Sequence, residues 1–187
     1  MALTLNGTTN TIGGLAVGGL PDGIVDTDMI AASAVTAAKR GTGAILQVSH
    51  VNLTTLSSTS STSYVDISNL TVNHTPLSSS NKLHIVAHIQ NLVINSGGQE
   101  GSVGLNIMKD STEIAGIELR SKDYGGSGMR NCTTGIIDAY ITAGTTSQIT
   151  FKCQMKMING SLIEINPGNA SGSDSDQSSI FIYEVAA

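Results

Sequence analysis

The stretch GGLAVGGLPDG (13–23) has the glycine density of a phosphate cradle, and it is the first place in the chain where chemistry could be sought. A Walker loop needs GxxxxGK[ST], because its lysine neutralises phosphate and its hydroxyl holds magnesium. Gly14 and Gly19 have the right separation, but Leu20 and Pro21 follow. A dinucleotide fingerprint needs GxGxxG, and the order here is GGxxxGG. Nucleotide binding is therefore not expected. Read as GxxxG, Gly14 and Gly18 would let one backbone approach another closely.

The other reactive side chains are equally unassembled. Asp22, Asp26 and Asp28 lack the glycine and terminal glutamate of an EF-hand, so they read as turn and capping residues. Asp174 and Asp176 could collect calcium, although a solubilising loop is the simpler reading. His84 and His88 share one face of a strand at about 13 Å, from roughly 3.3 Å per residue. That is too far for two ligands of one metal within a chain, although equivalent histidines could meet at the axis of an oligomer. His50 and His74 look isolated. No GxSxG elbow and no Cys–His pairing is evident. Glu113, Glu118, Asp123, Asp138 and Glu164 would pair as glycosidase acids only by accident of folding. Neither an enzyme nor a bound cofactor is expected. Cys132 and Cys153 have no ligand spacing and read as two free thiols in preference to a disulfide.

Composition narrows the class further. Of the 187 residues 12% are charged, about half the usual share of roughly 25%. Ser, Thr, Asn and Gly replace them, which suits strands with neutral polar faces and tight turns. The net charge of −5, with scattered basic residues, offers no phosphate-binding surface. With two Phe, four Tyr and no Trp, no stacking platform for bases is evident. Nucleic acid is not an expected partner. No apolar run approaches the roughly 20 residues of a membrane helix, and MALTLNGTTNT does not read as a secretory leader. The seven Asn-x-Ser/Thr matches, from Asn6 to Asn169, are what so polar a chain produces by chance.

These residues must be positioned by two regions of different texture. Residues 1–40 are rich in glycine and alanine. Within them DTDMIAASAVTAAKR (26–40) predicts a helix capped by Asp26 or Asp28 and stopped at Gly41. The same letters carry a ten-residue recurrence, Val25-Asp26 and Val35-Thr36, which fits an intertwined shaft instead. Residues 41–187 alternate with a period of two. Strands are predicted at 44–56, with a bulge or bend near Ser49, and at 63–76, with a phase slip before Leu70. The third, 82–94, points Leu83, Ile85, Ala87 and Ile89 to one side. Others fall at 102–109, 113–120, 129–142, 147–158, 161–165 and 179–186. Eight or nine strands so spaced predict a mainly β chain. The expected fold is a jelly-roll-like antiparallel β-sandwich (41–187) behind a short N-terminal segment (1–40) with a candidate helix.

A resemblance then enters. GLAVGGLPDGIVDTDMIAASAVTAAKRGTGAILQV (14–48) resembles the start of many bacteriophage virion structural proteins, often tail fibre proteins. SYVDISNLTVNHTPLSSSNKLHIVAHI (63–89) is similar to the next feature of that group, and SSIFIYEVAA (178–187) to its terminal strand; the likeness is weak over 95–170. The resemblance implies a homotrimer in the virion, assembled in the host cytoplasm, whose N-terminal segment anchors to tail or capsid proteins or interlocks the chains. Leu15, Val17, Leu20, Ile24, Met29, Ile30 and Val35 are the apolar side chains of that segment available for docking or trimerisation. Metal-binding HxH histidines of such fibres have no counterpart here. The loops 121–128 and 166–178, with Asp123, Tyr124, Asn169, Asp174 and Asp176, are the candidates for facing a host receptor. The competing role is a head decoration or cement protein that stabilises the capsid.

Overall fold

A computed structural model describes residues 4–6, 11–13, 39–98, 100–122, 129–168 and 176–187. The chain divides into two compact units, Met1–Arg40 and Gly41–Ala187. In the first, β1 (Thr4–Asn6) pairs antiparallel with β2 (Thr11–Gly13). Of the candidate helix 26–40 only Lys39 and Arg40 are described, and the seven apolar docking residues lie outside the described residues.

Among the described residues the second unit has ten strands: β3 (Ile45–Leu53), β4 (Ser57–Thr59), β5 (Val65–His74), β6 (Lys82–Ser96), β7 (Glu100–Lys109), β8 (Thr112–Lys122), β9 (Met129–Thr142), β10 (Ile149–Asn159), β11 (Leu162–Ile165) and β12 (Ser178–Val185). One sheet has the order β5-β10-β7-β8. In the other, β6 carries β9 along one edge. Its opposite edge is shared end to end, with β12 against residues 82–88 and β11 against 92–95. β3 and β4 repeat this division, since β3 pairs β12 and β4 pairs β11. The second sheet therefore has four lines of chain: β3/β4, β12/β11, β6 and β9.

Counted as lines in chain order, the two sheets read 1-8-3-6 and 2-7-4-5. That is the jelly-roll order, two Greek keys wrapped into one sandwich. The mainly β, sandwich reading of the sequence holds. All ladders are antiparallel.

The core follows from the pleat. Leu83, Ile85, Ala87 and Ile89 of β6 are completely buried, with Ile180 and Ile182 of β12 beside them. Val103, Leu105 and Ile107 of β7 and Phe151, Cys153 and Met155 of β10 face them across the sandwich, in the same cluster. Fully burying one such aliphatic side chain is worth about 1.5–3 kcal/mol. From Ile89 to the next buried core residue, Leu92, is an odd step. Two residues, Gln90 and Asn91, therefore oppose the single Thr134 of β9, and Asn91 takes φ 43°. This bulge returns Leu92 and Ile94 to the core side.

Local expectations fared unevenly. The phase slip before Leu70 is real: the β5–β10 register shifts there, and Asn69 adopts φ 64°. The bulge expected near Ser49 lies instead at Leu46, where the β3–β12 register shifts between Gln47 and Ile45. From Gln47 onward β3 alternates without interruption. Both cysteines are free, Cys132 exposed and Cys153 buried. Burial pushes the Cys153 thiol up to about 12.

Two substitutions test this account of the turns. At Gly160, with φ 137°, an added Cβ would lie 2.7 Å from the backbone oxygen of Asn95. At Gly144, with φ 76°, it would meet open space. Urea unfolding should show Gly160→Ala costing about 2–3 kcal/mol and Gly144→Ala about 1 kcal/mol. A thiol reagent at pH 8 should modify Cys153 only after unfolding.

Candidate functional site

The second unit has a proximal and a distal end. Residues Gly41–Ala44 feed into β3 at its pairing with Val185, beside Lys82 at the start of β6. β6 then runs to Ser96, about 45 Å away at roughly 3.3 Å per residue.

At the distal end lies an open cleft of about 570 Å³ lined by Ser96, Gly97, Gly98, Glu100, Lys122, Asn159, Gly160 and Ser161. A neighbouring hollow of about 360 Å³ shares Glu100, Lys122 and Asn159 and adds Glu118, Arg120 and Ile158. Lys122 Nζ donates to Glu100 Oε1 at 2.7 Å, and this bond holds the Glu100 carboxyl below its usual range. Arg120 Nε donates to Glu118 Oε1 at 2.9 Å. The cleft offers hydroxyl, amide, carboxylate and ammonium groups, which suit hydrogen bonding to a polyhydroxylated ligand.

Ser121 and Lys122, the first two residues of the predicted receptor loop 121–128, are strand, paired in β8 with Gly101 and Glu100; with Met129 opposite Ser96, both roots of residues 123–128 lie at the cleft end. Asp123 and Tyr124 lie outside the described residues, as do Asn169 and Asp174. Asp176 is described, and it is engaged at the root of its loop. Its Oδ2 accepts hydrogen bonds from Asn91 Nδ2 at 2.8 Å and from the Gly168 amide at 3.2 Å. Beneath it the buried Asn166 donates to the Leu53 carbonyl and accepts from Ser178 Oγ. The loop between β11 and β12 thus leaves and rejoins one strand line beside the β6 bulge.

The histidines fall in two environments. His50, His84 and His88 sit on the outer side of the four-line sheet, where His84 Nε2 lies 2.6 Å from Asp138 Oδ2. Among the described residues no group of three His, Cys, Asp or Glu side chains is placed to hold a metal. His74 is different and was not legible as such from its surroundings in sequence. It is 1% exposed and lies 3.4 Å from Oε2 of the fully buried Glu184.

Glu184 is the acceptor of a dense set of donors. Asn81 Nδ2 reaches it at 2.5 Å, Gln47 Nε2 at 2.6 Å and the Leu77 amide at 2.9 Å, with the Ser78 amide at 3.4 Å. The two Gln47 amide protons are taken by Glu184 and the Thr75 carbonyl. That leaves His74 Nε2–H to donate to Glu184, while Ser49 Oγ donates to Nδ1 at 3.0 Å. The Ser–His–Glu order has the outline of a catalytic relay. However, the imidazole and the carboxylate are both sealed from substrate. The set fastens the turn after Pro76 to the last strand.

Both titrations work against the fold in acid. Burial raises the Glu184 carboxyl, but hydrogen bonds from Asn81, Gln47, Leu77 and Ser78 outweigh it and leave the group below 4.5. Burial lowers His74 below 6.5, with Glu184 opposing. A lowered folded value means that the unfolded chain takes the proton first. The His74 contribution is thus present above 6.5 and lost as pH falls through its folded value, with Glu184 following below 4.5.

The fold and these sites define a jelly-roll sandwich with a fastened proximal end and a polar distal cleft. No protein-family pattern and no curated protein matches the chain. Among solved structures, it is similar to a chain of the T13 viral particle of IBDV (14% identity, TM-score 0.37) over 75% of its own length and 36% of that chain. It is also similar to VP2 of infectious bursal disease virus (14%, TM-score 0.35, again 75% and 36%). The Stig cyclase Fisc from Fischerella sp. TAU is a third (12%, TM-score 0.32, 66% of this chain and 64% of that one). The chain spans about a third of the length of the two viral chains. A viral-particle chain and a cyclase at such distance carry no argument about function.

The fastening is testable by substitution. Glu184→Gln strands donors that now point at a carboxylate, and should cost about 3 kcal/mol in urea unfolding. Wild-type stability should fall as pH drops below about 6.5, and His74→Asn should flatten that slope. A wild-type curve flat across that range would remove His74 from the account.

Proposed function

We propose that this chain is a bacteriophage virion structural protein: a homotrimer held on the particle through residues 1–40, with the jelly roll projecting. The observation that carries the reading is the polarity of the second unit. Residues 41–44 join it at one end, and the cleft and the roots of loop 121–128 lie about 45 Å away at the other. A module attached at one end and functional at the other needs this arrangement. The likeness of residues 14–48, 63–89 and 178–187 to phage fibre proteins points the same way.

Within that class the protein is a tail fibre or tail-associated protein whose distal end contributes to attachment to a host surface receptor. The polar cleft suits a receptor rich in hydroxyl groups. The role requires no enzyme activity, cofactor, nucleic acid or membrane insertion. One observation favours the decoration role instead: among the described residues the cleft lining contains no aromatic ring, and such rings are favoured anchors for recognition.

Electron microscopy of intact particles carrying a tag within 123–128 separates the two. Tail-restricted label, together with at least tenfold slower adsorption after that loop is exchanged, is the expected outcome. Label spread over the head, with unchanged adsorption and capsids less stable to heat, would replace the fibre reading by decoration.

A further inference from the structure

The two outer faces of the sandwich differ in kind. On the β5-β10-β7-β8 sheet, the outward positions include Asp66, Thr71, Asn73, Lys152, Gln154, Glu118 and Arg120. Lys152 pairs with Asp66 at 2.8 Å, and Arg120 with Glu118 at 2.9 Å. This is an ordinary solvated surface.

The four-line sheet is the reverse. Its ladders align Val48, Tyr183, His84 and Tyr140 in one outward row, and His50, Phe181, Val86 and Asp138 in the next. A third row is Asn52, Ser179, His88 and Ile136. The rings of His50, Phe181, Tyr183, His84 and Tyr140 form a chain with centroids 5.4–6.1 Å apart. In a protein with only six Phe and Tyr residues, three stand on this one face. Ile136 and Tyr140 are both 59% exposed, and Val48 is 48% exposed. Aromatic enrichment with depletion of charge is the mark of an interface core.

We infer that this face, from Val48 across to Tyr140, is where copies of the chain meet one another in the proposed homotrimer, turned inward toward a common axis; the inference rests on that reading. Charge selects a second copy as the occupant. Residues nearest a three-fold axis meet their own copies there, so an axis-facing surface must carry no unmatched charge. The three rows hold a single carboxylate, Asp138, and it already has His84 at 2.6 Å.

The test is sedimentation of the full chain. Wild type and Thr71→Lys, on the opposite face, should sediment as trimers. Ile136→Lys combined with Tyr140→Lys should sediment as a folded monomer, its association weakened at least about a hundredfold. If all three stay trimeric, the face inference fails while the homotrimer stands. If wild type is a monomer, both fall. Covalent labelling of wild type needs no substitution. Tyr140 and His88 should be protected in the trimer and become reactive on dilution, with Tyr64 reactive throughout. Equal reactivity of Tyr140 at both dilutions would also overturn the inference.

Discussion

One strand sets the terms for the rest. β6 is the longest of the described strands, flanked by β9 on one side and by β12 and β11 in series on the other. Its pleat sends Leu83, Ile85, Ala87 and Ile89 into the core and His84, Val86 and His88 to the outer face. A strand of this length cannot keep that division if its hydrophobic spacing changes parity. The Gln90–Asn91 bulge absorbs the change, so Leu92 and Ile94 remain inside. The handover from β12 to β11 on the neighbouring line falls at the same height. A local defect in one strand therefore governs where a neighbouring strand is broken.

This explains what could be read in advance. The long stretch 82–94 declared itself because Leu83, Ile85, Ala87 and Ile89 make one side of it apolar. The jelly-roll reading followed from the number and spacing of the strands. β4 escaped notice because SST is indistinguishable from a turn; it is a strand only because β11 lies beside it. The bulge in β3 was misplaced for a related reason. Ile45 is apolar yet 54% exposed, while Gln47 points inward to Glu184, so the residue types at that end misreport the faces.

The Glu184 cluster was illegible for a deeper reason. Its members, Gln47, Ser49, His74, Asn81 and Glu184, come from four separate stretches of chain, and none stands out among so many polar residues. A buried carboxylate is tolerable only when several donors converge on it, and convergence is a property of topology. The outer aromatic face was hidden in the same way. The scarcity of rings suggested that no platform existed, yet the ladder gathers those present into adjacent rows.

The loop between β11 and β12 has a further meaning. Its two roots belong to one line of the sheet; they are joined to each other, Gly168 to Asp176 and Ser178 to Asn166, and to their neighbours, Asn166 to Leu53 and Asp176 to Asn91. The ladder on either side is complete without it. The registers of β11 and β12 are thus held by residues outside 169–175, and a change there is expected to leave both ladders in place. In a lineage under pressure from its surroundings, such a segment can vary freely, and the same property makes it a natural place to graft a foreign peptide.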